Sequence, residues 1–104
     1  MKTIKIEDLE IMLIDLEDEY TWYQAKSECA KIGFRLPTID ELSILFKNRE
    51  NIGGFSEELY WSSNAGSELE FRSHAFCMSM GPQGGTAGET DRDNYCRVRP
   101  VKSV

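Results

Sequence analysis

Two helix-start signatures stand close together in this chain, and between them they constrain most of what it can fold into. Thr21 is followed three residues on by Gln24, and Thr38 by Glu41. Each pair forms a capping box: the threonine hydroxyl takes a main-chain N–H of the first turn, and the glutamine or glutamate reaches back to the threonine's own N–H. Behind Thr21, residues Trp22, Ala25, Cys29 and Ile32 recur at helical spacing as one apolar stripe, with Gln24, Ser27, Glu28 and Lys31 largely opposite. Gly33 supplies a left-handed stop. Arg35-Leu36-Pro37 then reads as a short extended link, because the residue before a proline avoids helical geometry. Behind Thr38, residues Ile39, Leu42, Leu45 and Phe46 form a second stripe. Asp40 and Glu41 sit in its first turn, and Lys47 and Arg49 in its last, as the helix dipole prefers. The spacing predicts helices near residues 21–33 and 38–49, with Asn51-Ile52-Gly53-Gly54 as the exit.

The remaining segments read as strands and loops. Glu10 to Leu16 is apolar on both faces at its centre, as in a strand buried between layers. Lys2 to Ile6 alternates, and a turn at Glu7-Asp8 joins the two as a hairpin. Tyr60-Trp61-Ser62-Ser63 is a short strand, and Asn64 to Ser73 is polar and loop-like. Ala75 to Met80 is a strand with Phe76, Met78 and Met80 on one face. Gly81 to Asn94 reads as a long loop with four glycines. Tyr95 to Val101 is the last strand, where Cys96 and Val98 alternate with Arg97 and Arg99. This order predicts an α+β domain, residues 1–104, with a mainly antiparallel sheet containing residues 10–16, 60–63, 75–80 and 95–101.

Charge restricts function. Eighteen acids against twelve bases give a net charge of -6, which repels a nucleic acid; binders of that class cluster positive charge. The longest fully apolar run, Ile11 to Ile14, is far short of the ~20 residues of a membrane-spanning helix. The first residues carry Glu7 and Asp8 where the apolar stretch of an export signal would continue, so a cytoplasmic protein is expected. A phage particle, or a piece of a longer surface protein, fits the same residues. Cys29, Cys77 and Cys96 are odd in number and widely spaced, without the close pairs of zinc or redox sites. They are expected as buried free thiols.

Catalytic patterns are scarce. Ser62 and Ser63 follow an aromatic pair and His74 is the single histidine, but no nucleophile elbow surrounds either serine. No catalytic residue and no cofactor is expected.

Four motifs in order carry a resemblance: Trp22 with Ala25 and Cys29; Arg35-Leu36-Pro37-Thr38-Ile39-Asp40-Glu41-Leu42; Tyr60-Trp61-Ser62-Ser63; and Val98-Arg99-Pro100-Val101-Lys102. Together they resemble the DUF1566 family of bacteria and phages, similar to the C-terminal domain of the Legionella collagen-like adhesin. The resemblance implies a C-type-lectin-like fold, with two helices flanking a twisted sheet and the first and last strands paired. It also implies proximity of Cys29 and Cys96, where lectin-like relatives often carry a bridge. The physical reading of the motif residues is structural: Trp22 and Trp61 as core anchors, and Arg35 and Glu41 as an ion pair or a helix cap.

Fold relatives that bind sugars through calcium carry Glu-Pro-Asn or Gln-Pro-Asp and then Trp-Asn-Asp. The first two are absent here. Asp91-Arg92-Asp93-Asn94 lies near the place of the last, but Arg92 among the carboxylates disfavours calcium, and no metal is expected. A non-catalytic binding module is expected, recognising a protein or glycan partner through the region Gly81 to Asn94, with Gln83, Asp91, Arg92, Asp93 and Asn94 as candidate contacts. The alternatives are a structural subunit of a phage or surface assembly, and a relative of the formylglycine-generating oxidases.

Overall fold

The structure is a computed structural model and describes residues 2–69 and 72–104. Its first hairpin pairs β1 (Thr3–Ile6) with β2 (Leu9–Met12) antiparallel. Glu7 in the turn takes a φ of 55°, a left-handed value uncommon for a residue with a Cβ. The segment 10–16 does not stay a strand throughout: β2 ends at Met12, and the chain bends so that Asp15 turns to a buried arginine.

Helix α1 (Trp22–Lys31) opens on the Thr21 capping box. Its end is a Schellman turn: Phe34 N–H bonds Cys29 O at 2.9 Å and Gly33 N–H bonds Ala30 O at 3.1 Å, with Gly33 at φ 78°. Helix α2 (Ile39–Lys47) opens on the Thr38 box. Of the two expected contacts, Arg35 makes the ion pair and Glu41 makes the cap. Its guanidinium grips Glu41 with two bonds of 2.6 and 3.0 Å, while Glu41 Oε1 accepts the Thr38 N–H at 2.9 Å. The second expected helix stops earlier than 49. Asn48 ends α2 and starts a further short helix, α3 (Arg49–Ile52).

The second half departs from its sequence reading in three places. Asn64 to Ser73 is not a loop: β3 (Leu59–Leu69) runs on through most of it, and β4 (Arg72–Ser79) begins before it ends, with residues 70 and 71 outside the described residues. The polar composition reflects exposure, since Asn64, Ala65, Ser67 and Glu68 all face solvent. Gly81 to Asn94 is not one loop either, because β5 (Ala87–Asp91) crosses it as the outer strand beside β4. The last strand does not run over 95–101 but starts where that segment ends. Pro100 offers no N–H; Cys96 and Arg97 make only single bridges, and β6 is Val101–Ser103.

The strands form two three-stranded sheets, β1-β2-β6 and β3-β4-β5, rather than one. The last strand pairs with the N-terminal segment expected over 10–16, Ile11 of β2 lying opposite Val101, while β1 takes the other side of β2. Bridges Tyr60–Arg97, Tyr20–Cys96 and Arg35–Val101 tie the two sheets and the helix link together.

Alternation along β3 and β4 divides the core. Tyr60, Met78 and Met80 pack with Leu9, Ile11, Leu42, Leu45, Ile52 and Val101. Trp61, Ala75 and Cys77 face the other way, onto Trp22, Ala25, Cys29, Leu36, Cys96 and Val98. Phe76 shares the parity of Met78 but is only partly buried. The two tryptophans are core anchors and lock α1 to β3 reciprocally. Trp22 Nε1–H bonds Ser62 O, and Trp61 Nε1–H bonds Tyr20 O, both at 2.7 Å. Such buried indoles combine large apolar area with a satisfied N–H. Pro37 is fully buried, and its carbonyl accepts the Ser63 N–H at 2.8 Å.

Candidate functional site

The turn from β5 towards β6 holds most of the residues singled out for binding. Asp91 ends β5, and its Oδ1 accepts the Asp93 N–H at 2.9 Å, an Asx-turn. Asn94 N–H bonds Asp91 O at 3.0 Å, and the Asn94 side-chain amide donates to Thr90 Oγ1 at 2.5 Å. The turn is therefore braced by its own side chains.

Arg92 is the exception to its surroundings. It is 7% exposed, not a surface contact. Its guanidinium stacks over the Trp22 ring, 4.6 Å from the centroid. Nε donates to His74 O at 2.9 Å, and Nη1 donates to the Tyr23 hydroxyl at 3.0 Å. Its main chain adds a bond to Ser73 O at 2.9 Å and accepts the Trp22 N–H at 3.0 Å. Arg92 thus wedges together β4, the turn and the start of α1. A guanidinium does this well because its planar fork can stack on an aromatic face and donate in plane at once.

Beside the wedge lies a hollow of about 170 Å³, lined by Tyr23, Ser73, Asp91, Arg92 and Asp93. Gln83 is not part of it. It sits in the turn at the far end of β5, where Gly85 N–H bonds Ser79 O and Gly85 packs on Phe46 of α2. Asn94 lies next to the hollow but does not line it. Two lining residues were not among the candidates. Tyr23 is 59% exposed, on the outer side of a helix whose neighbouring Trp22 is buried, and a solvent-facing aromatic in that position is a readable signal. Ser73 belonged to the segment read as loop.

A wider, shallow hollow of about 480 Å³ lies against α1, lined by Asp18, Glu19, Tyr20, Gln24, Ser27 and Glu28. Two of its three carboxylates pair with bases outside it, Glu28 with Lys31 at 2.6 Å and Glu19 with Arg97 at 3.6 Å. Burial, then the neighbouring Asp18 and Glu28, push the Tyr20 phenol above its ordinary value. Among the described residues, no three His, Cys, Asp or Glu side chains are grouped to hold a metal.

Ser62 and the three thiols are buried. Ser62 is fully buried, donates to Phe76 O at 2.8 Å and accepts the Asn64 N–H at 3.1 Å. Burial pushes the thiols of Cys29 and Cys96 up to about 12 and that of Cys77 to about 11, so the reactive thiolate is scarce near neutral pH. Among the described residues, no helix is long and apolar enough to cross a membrane.

No protein-family model matches the chain, and no curated protein matches it in sequence. Its fold is similar to that in the crystal structure of EMS16, an antagonist of the collagen receptor integrin α2β1 (GPIa/IIa). The TM-score is 0.72 and the identity 13%, over 98% of this chain and 97% of that one. At that identity the likeness is one of fold. Together with helices lying between β2 and a β3-β4-β5 sheet in the chain, and β2 paired with the last strand, it gives this chain a C-type-lectin-like fold.

Proposed function

We propose that this chain is a non-catalytic binding module of the DUF1566 type, bacterial or phage in origin, and that it meets a protein or glycan partner at the turn after β5. The observation that carries the reading is the braced turn with its hollow: an exposed Tyr23 and the carboxylates of Asp91 and Asp93, set on a buried Arg92 that fixes their positions. Binding surfaces are commonly loops held by a rigid scaffold. EMS16 is described as an antagonist of a receptor, which supports a protein partner for a fold of this kind. The reading places the protein in a reducing compartment, where its buried cysteines stay thiols.

A second reading, a structural subunit joined through a sheet edge, is favoured by β1, the outer strand of its sheet. Photo-cross-linking in the native host separates the two. A cross-linking residue replacing Asp93 is expected to capture a partner, and one replacing Lys5 on β1 is not. Capture at position 5 alone would support the subunit reading and remove the site from this turn.

A further inference from the structure

The β3-β4-β5 sheet ends on an open ladder. β5 is its outer strand, and Ala87, Gly88 and Glu89 are exposed. In an antiparallel pair, successive residues alternate between bonding the partner strand and pointing their N–H and C=O away from it. Arg92 N–H bonds Ser73 O at 2.9 Å, and the register continues through His74↔Asp91, Phe76↔Glu89 and Met78↔Ala87 without a shift. That bond sets the phase. Thr90 and Gly88 bond β4, while Ala87, Glu89 and Asp91 turn their main chain to the outer side. The Asp91 carbonyl there accepts the Asn94 N–H. Among the described residues, no strand pairs with that side.

Outer strands are commonly blunted by proline, lysine or a bulge. β1, at the edge of the other sheet, carries Lys5; β5 has none of the three. A hollow of about 210 Å³ opens beside it, lined by Ile39, Asn64, Ala65, Phe76 and Ala87. Ala87 and Phe76 share one face of the sheet, so a side chain opposite Ala87 on an added strand would stand at the mouth of the hollow.

Charge selects the occupant. Glu89 and Asp91 lie on the same face as Ala87, and Asp93 follows in the turn. Glu89 also accepts the Ser67 N–H, which fixes its carboxylate over the sheet. A second copy paired about a two-fold axis would set Glu89 against Glu89, and like charges opposite each other destabilise a ladder. A basic strand would meet complementary charge, and the net charge of -6 favours its encounter.

We propose that β5 receives an extended, basic segment of a partner protein as a fourth, antiparallel strand. Lysine or arginine would face Glu89 and Asp91, and an apolar residue would face Ala87. Both existing pairings in this sheet are antiparallel. In such additions the main-chain bonds supply affinity and the alternate side chains supply choice. The inference rests on the binding-module reading and names the class of its partner.

The test uses the full chain and a blocked peptide, acetyl-Lys-Val-Lys-Val-Leu-amide, whose first, third and fifth side chains would face Asp91, Glu89 and Ala87. Amide exchange, followed by nuclear magnetic resonance, reads the pairing. The dissociation constant is expected on the order of millimolar. At about ten times that concentration, exchange of the Ala87 and Glu89 N–H should slow by about tenfold. N-methylation of the third residue, where a bond to Glu89 belongs, should abolish the slowing; N-methylation of the fourth, which points away from β5, should not. Ala87→Pro, which removes an outward donor and no bond to β4, should abolish it as well. The methylated peptides act on the unaltered protein, so the result does not depend on that variant folding. Equal slowing by the Glu-Val-Glu-Val-Leu peptide, or indifference to the methyl position, would overturn the proposal. So would slowing that grows with protein concentration alone, the mark of a second copy. If position 93 cross-links a partner in the host while the lysine peptide leaves both amides unchanged, the added strand is wrong and the binding reading stands. If nothing cross-links there, the reading fails and takes this inference with it.

Discussion

Arg99 and Asp15, far apart in sequence, meet inside the molecule: Arg99 Nε donates to Asp15 Oδ1 at 2.9 Å. Arg99 is fully buried. Its Nη1 donates to Met12 O and Gly53 O, both at 3.1 Å, and the guanidinium lies 3.9 Å over the Phe55 ring. The other Asp15 oxygen accepts the Tyr60 hydroxyl at 2.6 Å. Its Nη2 has no hydrogen-bond partner among the described residues, so the partners on Nε and Nη1 offset the cost of burying the charge.

Removing one member should therefore be severe. Asp15→Ala is expected to cost about 3–5 kcal/mol, because it strands a buried guanidinium. Arg99→Met in the same chain should recover part of that loss, with a coupling of about 1–3 kcal/mol. Urea unfolding of the two single variants and the double variant measures it. Strict additivity would show that the pair does not act as a unit.

Two glycines at nearly the same backbone angle should respond differently to alanine. Gly33 has φ 78° with nothing within 4 Å of an added Cβ, and Gly54 has φ 76° with Leu13 O at 2.9 Å and Arg99 Nη2 at 3.2 Å. Gly33→Ala is expected to lose about 1 kcal/mol from backbone strain alone. Gly54→Ala should lose about 1–3 kcal/mol more from overpacking beside the buried arginine. Thermal unfolding that ranks them in reverse would contradict these placements.

The Glu41 carboxyl is held below its ordinary 4.5 by the Arg35 side-chain bond, with the Thr38 N–H assisting against some burial. A carboxyl with a depressed folded value stabilises fully above its unfolded value, and that contribution is lost as pH falls through the folded one. Stability should decline as pH drops from about 5 to about 3, and Glu41→Gln, which keeps the capping box, should show a shallower decline. Urea midpoints across that range read the difference; parallel slopes would count against the ion pair.

The three cysteines should be inert in the folded protein. Cys29, Cys77 and Cys96 are all buried as free thiols, with their acidities suppressed by burial. Native protein at about pH 8 should react slowly with a disulfide reagent, and non-reduced protein unfolded in urea should titrate three thiols. A count of one would reveal a bridge.

The helices were legible because their signals are local. Capping boxes at Thr21 and Thr38, and the stop at Gly33, each involve residues within one turn, and all three formed as read. The end of β2 was not legible, since the Leu13 to Leu16 segment is turned by a partner at Arg99. β5 was equally hidden. Ala87 to Asp91 has little strand character of its own, with a glycine and two acids, and pairs because β4 presents an open ladder. For the candidate site, sequence brought together Asp91, Arg92, Asp93 and Asn94 as neighbours in one turn. It grouped Gln83 with them only because the strand between was unseen.

By itself, then, the sequence determined the two capped helices, the identities of the core anchors Trp22 and Trp61, and an acidic surface, because caps, apolar period and charge are properties of short segments. Only the tertiary structure decided that Arg92 turns inward onto Trp22 while Asp91 and Asp93 stay out. That choice depends on the start of α1 and on β4, which the chain brings to the turn from distant positions. A guanidinium goes inside where distant backbone carbonyls and rings await it, and no window of neighbouring residues contains that information.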